Sequence, residues 1–334
     1  MTTPHVPLNV LDLVSVSDGS TMADAIASSM AAAELADELG YSRVWYAEHH
    51  NTQHLGATAT ALLIAQAAGR TERIRVGSGG IMLPNHAPLQ VAESFGTLAQ
   101  LHPGRIDLGL GRAPGTDQLT AQLLNRSGSD AQSFANSLYD LTGWFGDEGR
   151  AHSAPVTAGP ATGTHVPLWV LGSTVNGASI AGQLGLPFAV ASHFAPAGLD
   201  EILEVYRSSF STDAPTAQLT EPRVMVGVNV VVAPTDEEAV RLWTTAQRMF
   251  LDVRSGNRRG LQPPTEPEEV GGEHERRFAD SMLSINAIGS PDTAVRELEA
   301  LVDRTGADEL ITVTYCHDPA DRLRSLKLLA GSWF

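Results

Sequence analysis

The sequence predicts an α/β fold, a (β/α)8 TIM barrel with insertions after strands four and seven. Three observations carry this. Short β-rich apolar runs alternate with segments of helical period along the whole chain. There are eight such runs at near-even spacing, which favours a closed sheet over a doubly wound open one. The 334 residues suit one large barrel with insertions, and no linker interrupts them, so 1–334 is read as a single domain.

The elements follow in order. LNVLDLV (8–14) is the first strand. The helix over 22–39 sets Ile26, Met30 and Ala33 on one face, and Gly40 stops it. RVWYAEHH (43–50) is the second strand, and a helix covers about 57–69. IRVGSGGIML (74–83) is the third strand. After Pro88, Val91, Phe95 and Leu98 mark a helix face that ends at 102–104. RIDLGLGR (105–112) is the fourth strand and PLWVLG (167–172) the fifth, followed by a helix over about 174–184. PFAVASHF (187–194) precedes a helix near 197–210. RVMVGVNVVVA (223–233) precedes one starting near Asp236. Ser290-Pro291-Asp292 opens a helix in cap-then-proline order, with Val295, Leu298 and Leu301 on its face and Gly306 at its end. ELITVTY (309–315) is the eighth strand, and 319–330 the last helix.

Two segments exceed ordinary loop length. Residues 113–166 read as part helix, part loop. Residues 251–278, rich in Gly, Pro, Arg and Glu, read either as a surface excursion or as a mobile lid, and 251–283 is taken as the lid insertion.

Composition narrows the function. A hydrophobic content of 43% supports a sizeable core, and a net charge of −16 is a poor match for nucleic acid or anionic membrane. Cys316 is the single cysteine, so no intramolecular disulfide forms, which fits a reducing compartment. There is no basic-then-apolar leader and no run of 18 apolar residues; a cytoplasmic location is expected.

Chemistry in such barrels collects at the C-terminal strand ends. Those ends carry Glu48-His49-His50, Gly79-Gly80, Gly111-Arg112, Gly172-Ser173-Thr174 and Ser192-His193, with Asn229 in the seventh strand. Adjacent histidines on a strand point to opposite faces, so a metal site is ranked below an acid/base role for one histidine; a structural role satisfied by Glu48 stays open for whichever ring faces outward. Arg112, past small residues, suits a phosphate or carboxylate; taken alone it equally suits a surface ion pair. The turn at Gly172-Ser173-Thr174 tips that balance, because it opens a helix whose N–H groups favour an anion. No GxxxxGK[ST] occurs, and no GxGxxG follows the first strand, so neither nucleoside triphosphate nor dinucleotide binding is supported. The glycines of VGSGGIML leave a strand without side chains, either for tight barrel packing or for a flat ring against the backbone.

Taken together, Ala47-Glu48-His49-His50, Val76 to Pro84 and Gly109-Leu110-Gly111-Arg112 resemble the bacterial luciferase-like flavin monooxygenases, as does the segment 289–310. The resemblance covers nearly the whole chain and looks closest to single-chain oxidoreductases of that family. It implies reduced FMN at the barrel mouth, with His49 managing protons and a non-proline cis peptide at Gly79–Gly80 beneath the flavin ring. It implies that Arg112, Ser173 and Asn176, with Gly172 in the same turn, hold the phosphate, and that Glu48, His50, Met82 and His193 form pocket walls or support. The luciferase α chain has a cysteine where this chain has Gly111 and a glutamate where it has Gly172, so light emission is not implied.

The resulting expectation is a monooxygenase acting on a small, apolar organic molecule with O2, its FMN reduced by a separate reductase. A deazaflavin-dependent oxidoreductase and a non-catalytic flavin-binding protein are the alternatives. The resemblance also implies a homodimer through helices beside strands two and three, although the small apolar residues of 57–69 equally suit packing on the chain's own barrel.

Overall fold

A computed structural model describes residues 5–124 and 129–334. Eight parallel strands close on themselves: β1 (Leu8–Asp12), β2 (Arg43–Tyr46), β3 (Arg75–Met82), β4 (Ile106–Gly111), β5 (Leu168–Gly172), β6 (Phe188–Val190), β7 (Val224–Val232) and β9 (Glu309–Val313). The ring is closed by pairing β6 with β7, β7 with β9 and β9 with β1. All eight strands foreseen in the sequence form the barrel wall. The ninth, β8 (Asn286–Gly289), was not foreseen; it pairs only with the far half of β7, from Asn229 to Val232.

The helices around the wall are α1 (Met22–Leu39), α2 (Thr60–Arg70), α3 (Pro88–Leu101), α4 (Gln118–Leu123), α5 (Ala131–Phe145), α6 (Val175–Gln183), α7 (Leu199–Ser209), α8 (Asp236–Ser255), α9 (Glu273–Met282), α10 (Pro291–Thr305) and α11 (Pro319–Trp333). Their ends follow side-chain chemistry. The Thr21 hydroxyl caps α1 while Asp24 reaches back to the Thr21 N–H, and Gly40 ends the helix in the left-handed region.

Paired residues of parallel strands share a face, which identifies the barrel interior. Asn9 and Leu11 of β1 align with Arg43 and Trp45 of β2, and these with Arg75 and Gly77 of β3. Gly77 aligns with Asp107 of β4, Gly109 with Trp169, and Met225, Gly227 and Asn229 with Glu309, Ile311 and Val313. The N-terminal end of this interior is an ion cluster. Arg43 lies 2.7 Å from Asp107 and 2.9 Å from Glu309, Arg75 lies 2.6 Å from Asp107, and Arg223 lies 2.6 Å from Glu309. Asp107 and Glu309 are fully buried, so the cluster closes the bottom of the barrel and leaves the C-terminal mouth for chemistry.

One expectation is corrected. Residues 251–278 are not one long loop: 251–255 finish α8 and α9 begins at Glu273. The chain between them is tied down. Leu261 exchanges backbone hydrogen bonds with Val16 and Asp18, Arg258 donates to the Asn51 carbonyl at 3.0 Å, and its own carbonyl bonds His54. The segment thus lies across the loops after β1 and β2. The glycines of β3 also have a packing reason. A Cβ on Gly79 would meet Leu11 at 2.6 Å and Trp45 at 3.1 Å, and one on Gly80 would meet the Gly109 carbonyl at 2.7 Å. The bare backbone is therefore demanded by the barrel's own packing around Trp45, whatever else lies against it. The Gly79–Gly80 peptide is cis. Between Ser78 and Ile81 the register with β4 also shifts.

No described helix is long and apolar enough to cross a membrane.

Candidate functional site

Strand β2 ends earlier than the sequence suggested, so Glu48, His49 and His50 sit in the turn leaving the barrel wall. Glu48 is fully buried and organises three loops. It accepts hydrogen bonds from His50 Nε2 and His86 Nε2, each at 2.9 Å, and from the Met82 N–H at 3.2 Å. Asn85 adds a longer bond at 3.4 Å and donates to the Pro114 carbonyl at 2.9 Å. Burial alone would raise the Glu48 pKa. The bonds from His50 and His86, the charge of His86 and the Met82 N–H outweigh it and hold the carboxyl at about 2. His50 is thus the satisfied partner of Glu48. His86 was missed in the sequence, because only the fold brings it back to Glu48.

His49, the next residue, is partly buried and lies close enough to His193 for its charge to act on that ring. Burial lowers the His49 pKa, Glu48 opposes that and His50 adds to it. His193, just past β6, is only 6% exposed. Burial and the neighbouring charge of His49 lower its pKa to about 4. In both rings Nδ1 is buried and has no hydrogen-bond partner. Asn229 is fully buried on β7; its Nδ2 donates to the His193 carbonyl at 2.6 Å, and its Oδ1 has no partner. Sealed polar atoms therefore lie just past the ends of β2 and β6 and on β7.

Met82 closes the β3–β4 side. Its side chain lies where a Cβ on Gly111 would meet Cε at 3.1 Å and Sδ at 3.2 Å. Glycine at 111 is what lets this methionine cross the strand end.

The opposite corner is polar and open. Gly111 pairs with Leu171, and partly buried Arg112 and Gly172 are the residues that follow this last β4–β5 pair. After Gly172 come partly buried Ser173 and exposed Asn176, on the first turn of α6. Thr174 caps that helix by accepting from the Gly177 N–H at 3.4 Å, which leaves the N–H groups of 175 and 176 outside the helix ladder. A Cβ on Gly172 would make only ordinary contacts, 3.5 Å to Phe188 and 3.6 Å to Gly177. Glycine there is not forced by the protein's own packing, and it leaves room over the turn. A guanidinium, a hydroxyl, free helix N–H groups and space together fit a phosphate.

Among the described residues no cluster of three or more His, Cys, Asp and Glu side chains is arranged to hold a metal ion.

The luciferase-like monooxygenase family profile matches residues 8–309. A luciferase-like monooxygenase of Escherichia coli is 40% identical over 331 residues, covering 98% of this chain and 97% of the relative. The N-acetyl-S-alkylcysteine monooxygenase of Bacillus subtilis is 31% identical over 332 residues, covering 98% of each. Among solved structures, apo-MsnO8 superposes with a TM-score of 0.86 at 35% identity, covering 98% of both chains. Two others share the fold. The oxygenating constituent of 3,6-diketocamphane monooxygenase from Pseudomonas putida, in complex with FMN, has a TM-score of 0.72 at 22% identity over 98% of both chains. The coenzyme F420-dependent tetrahydromethanopterin reductase of Methanopyrus kandleri has a TM-score of 0.71 at 15% identity over 98% of both chains.

Proposed function

The chain belongs to the luciferase-like monooxygenase family, and from that footing we propose that it is the oxygenase of a flavin-dependent monooxygenase, taking reduced FMN and O2 to a small, apolar organic substrate. The observation that carries the reading is that Arg112, Gly172 and Ser173 follow directly on the last β4–β5 pair, where the first turn of α6 is open.

In this reading Arg112 and Ser173 hold the FMN phosphate, with Asn176 and the backbone of Gly172 completing the cradle. The Gly79–Gly80 backbone would lie against the flavin ring. Bound reduced FMN supplies the electrons that let O2 give one atom to the substrate and one to water. Everything else is the chain's own work. His49, neutral at the mouth, manages the proton at Nε2. Glu48, held ionised, fixes His50 and the loops after β2 and β3, so that His49 keeps its aim. Met82 and His193 wall the pocket. The segment 256–272, tied over the β1 and β2 loops, acts as the lid of the 251–283 insertion and keeps water from the site.

A separate reductase supplies the FMNH2. The absence of a GxGxxG turn after the first strand supports this, since such a turn would mark a dinucleotide site in the same chain. A cytoplasmic setting is part of the proposal. A homodimer through α2 and α3 is proposed as well; Leu62 of α2, 73% exposed, and Leu101 of α3, 65% exposed, are the side chains it would cover.

A second reading, hydride transfer with a deazaflavin, is favoured by the likeness to the F420-dependent reductase and keeps the same mouth.

The test is turnover under 18O2 with a flavin reductase, NADH and FMN, on a panel that includes an N-acetyl-S-alkylcysteine, an aldehyde and a cyclic ketone. One 18O atom in a product supports the proposal. O2 converted only to hydrogen peroxide across the panel, at the rate of the reductase alone, counts against it.

A further inference from the structure

We infer that His193 is a second substrate-contacting residue, acting with His49: both rings present neutral Nε2–H donors into the barrel mouth, where they bind an acceptor oxygen of the substrate. The inference rests on the mouth being the substrate site, as proposed above, and goes beyond it in naming a polar feature that the substrate must carry.

The argument starts from which ring atoms are sealed. In both histidines Nδ1 is buried without a partner, whereas Nε2 is not among the sealed atoms and makes no hydrogen bond to the described residues. For His193 the cause is its neighbour on β7. A Cβ on Gly227 would stand 2.6 Å from His193 Nδ1 and 3.1 Å from the Val190 carbonyl. The ring's Nδ1 edge therefore faces the bare backbone of Gly227, and its Nε2 edge faces the open mouth. Behind it, Ser192 Oγ donates to the Gly227 carbonyl at 2.6 Å and Asn229 Nδ2 to the His193 carbonyl at 2.6 Å, which fixes the backbone on either side of the ring.

Sealing decides the tautomer. A proton on Nδ1 would be a buried donor with no acceptor, and orphaned buried N–H groups are rarer and costlier than a bare lone pair. The proton of each neutral ring therefore sits on Nε2. Protonating a ring would add the same orphaned Nδ1–H, which agrees with the lowered pKa of both groups. Two neutral donors at one largely buried site suit an acceptor oxygen such as that of a carbonyl or carboxylate, and they offer nothing to a plain hydrocarbon. Gly227 is the positioning residue, because only glycine admits the ring there.

Two measurements test this on the full chain. In 15N-histidine NMR at pH 7, both residues are expected as the Nε2–H tautomer. A proton on Nδ1 of either ring, as a bridge to Asn229 Oδ1 would require, overturns the inference. Binding of 2-octanone, with n-octane as the probe lacking oxygen, reads the donors directly, with FMN absent and present. His193→Phe keeps a ring without the donor, and a tenfold loss of 2-octanone affinity is expected, about 1.4 kcal/mol. His193→Gln keeps a donor and is expected to stay within about threefold of wild type, a difference below that of one net hydrogen bond. Octane affinity should be the same in all three. Equal losses for both probes, or no preference for 2-octanone in wild type, overturn the inference. An FMN titration alongside reads the flavin assignment separately, since weak FMN binding leaves the tautomers and the 2-octanone preference unchanged.

Discussion

The imidazole of His193 lies against the bare backbone of Gly227, its Nδ1 2.6 Å from where a Cβ would stand. Gly227→Ala must push the ring toward the mouth. Overpacking of this kind costs about 1–3 kcal/mol, so the variant is expected to unfold at lower urea. Turnover should fall further than stability explains, while FMN affinity at the distant Arg112 corner is retained. Full turnover at wild-type stability would mean that the ring has room to spare.

Glu48 makes the acid stability of the mouth predictable. Its folded pKa, about 2, lies below the ordinary 4.5. A depressed carboxyl contributes stability that is present above its unfolded pKa and is lost as pH falls through the folded value. At 1.36 kcal/mol per unit the contribution is about 3 kcal/mol, disappearing between about pH 4.5 and 2. Glu48→Gln should flatten that part of the stability–pH curve and lower its plateau at neutral pH. An unchanged slope in urea titrations from pH 6 to 2 would show that another group carries it.

Glu309 anchors the closed end of the barrel. Burial would raise its pKa, but hydrogen bonds and charge from Arg43, with the charge of Arg223, lower it. Glu309→Ala leaves both arginines facing a buried gap, and losing one member of such a network typically costs about 3–5 kcal/mol. A loss under 1 kcal/mol in equilibrium unfolding would show that water reaches the cluster and screens it.

Arg112 and His49 should separate binding from turnover. Arg112→Ala removes a charge-assisted phosphate contact worth about 1.5–3 kcal/mol, so FMN affinity should fall about 10- to 150-fold. His49→Ala should keep FMN affinity and lose turnover. Fluorescence titration with FMN and steady-state rates measure both. Unchanged affinity in Arg112→Ala would remove the phosphate assignment, and equal loss of affinity and turnover in His49→Ala would make that residue structural.

Much of this architecture was legible in the sequence, because barrel strands buried on both sides read as short apolar runs and helices as faces of period 3.6. Residues 286–289 escaped notice: Asn-Ala-Ile-Gly is too short and too mixed to carry a period, and it pairs with the part of β7 that runs on past the pairing with β6 and β9. Helix α9, EHERRFADSM, is so charged that its segment read as loop; among its residues only Ala279 is buried. In the site, Glu48, His49 and Arg112 could be found from strand ends. His86 could not, since 38 residues separate it from Glu48 and the loops alone join them. The reason for glycine at 79 and 80 was only half visible. The bareness of the strand is written in the sequence, but Trp45 and Leu11, which need that space, are neighbours only in the closed barrel.

The central claim is that this mouth is built for reduced FMN. Anaerobic titration of the full chain with reduced FMN and with reduced coenzyme F420, under the same conditions, tests it most directly. Tighter binding of reduced FMN is the expected result. Tighter binding of the deazaflavin would contradict the account and turn the site toward hydride transfer.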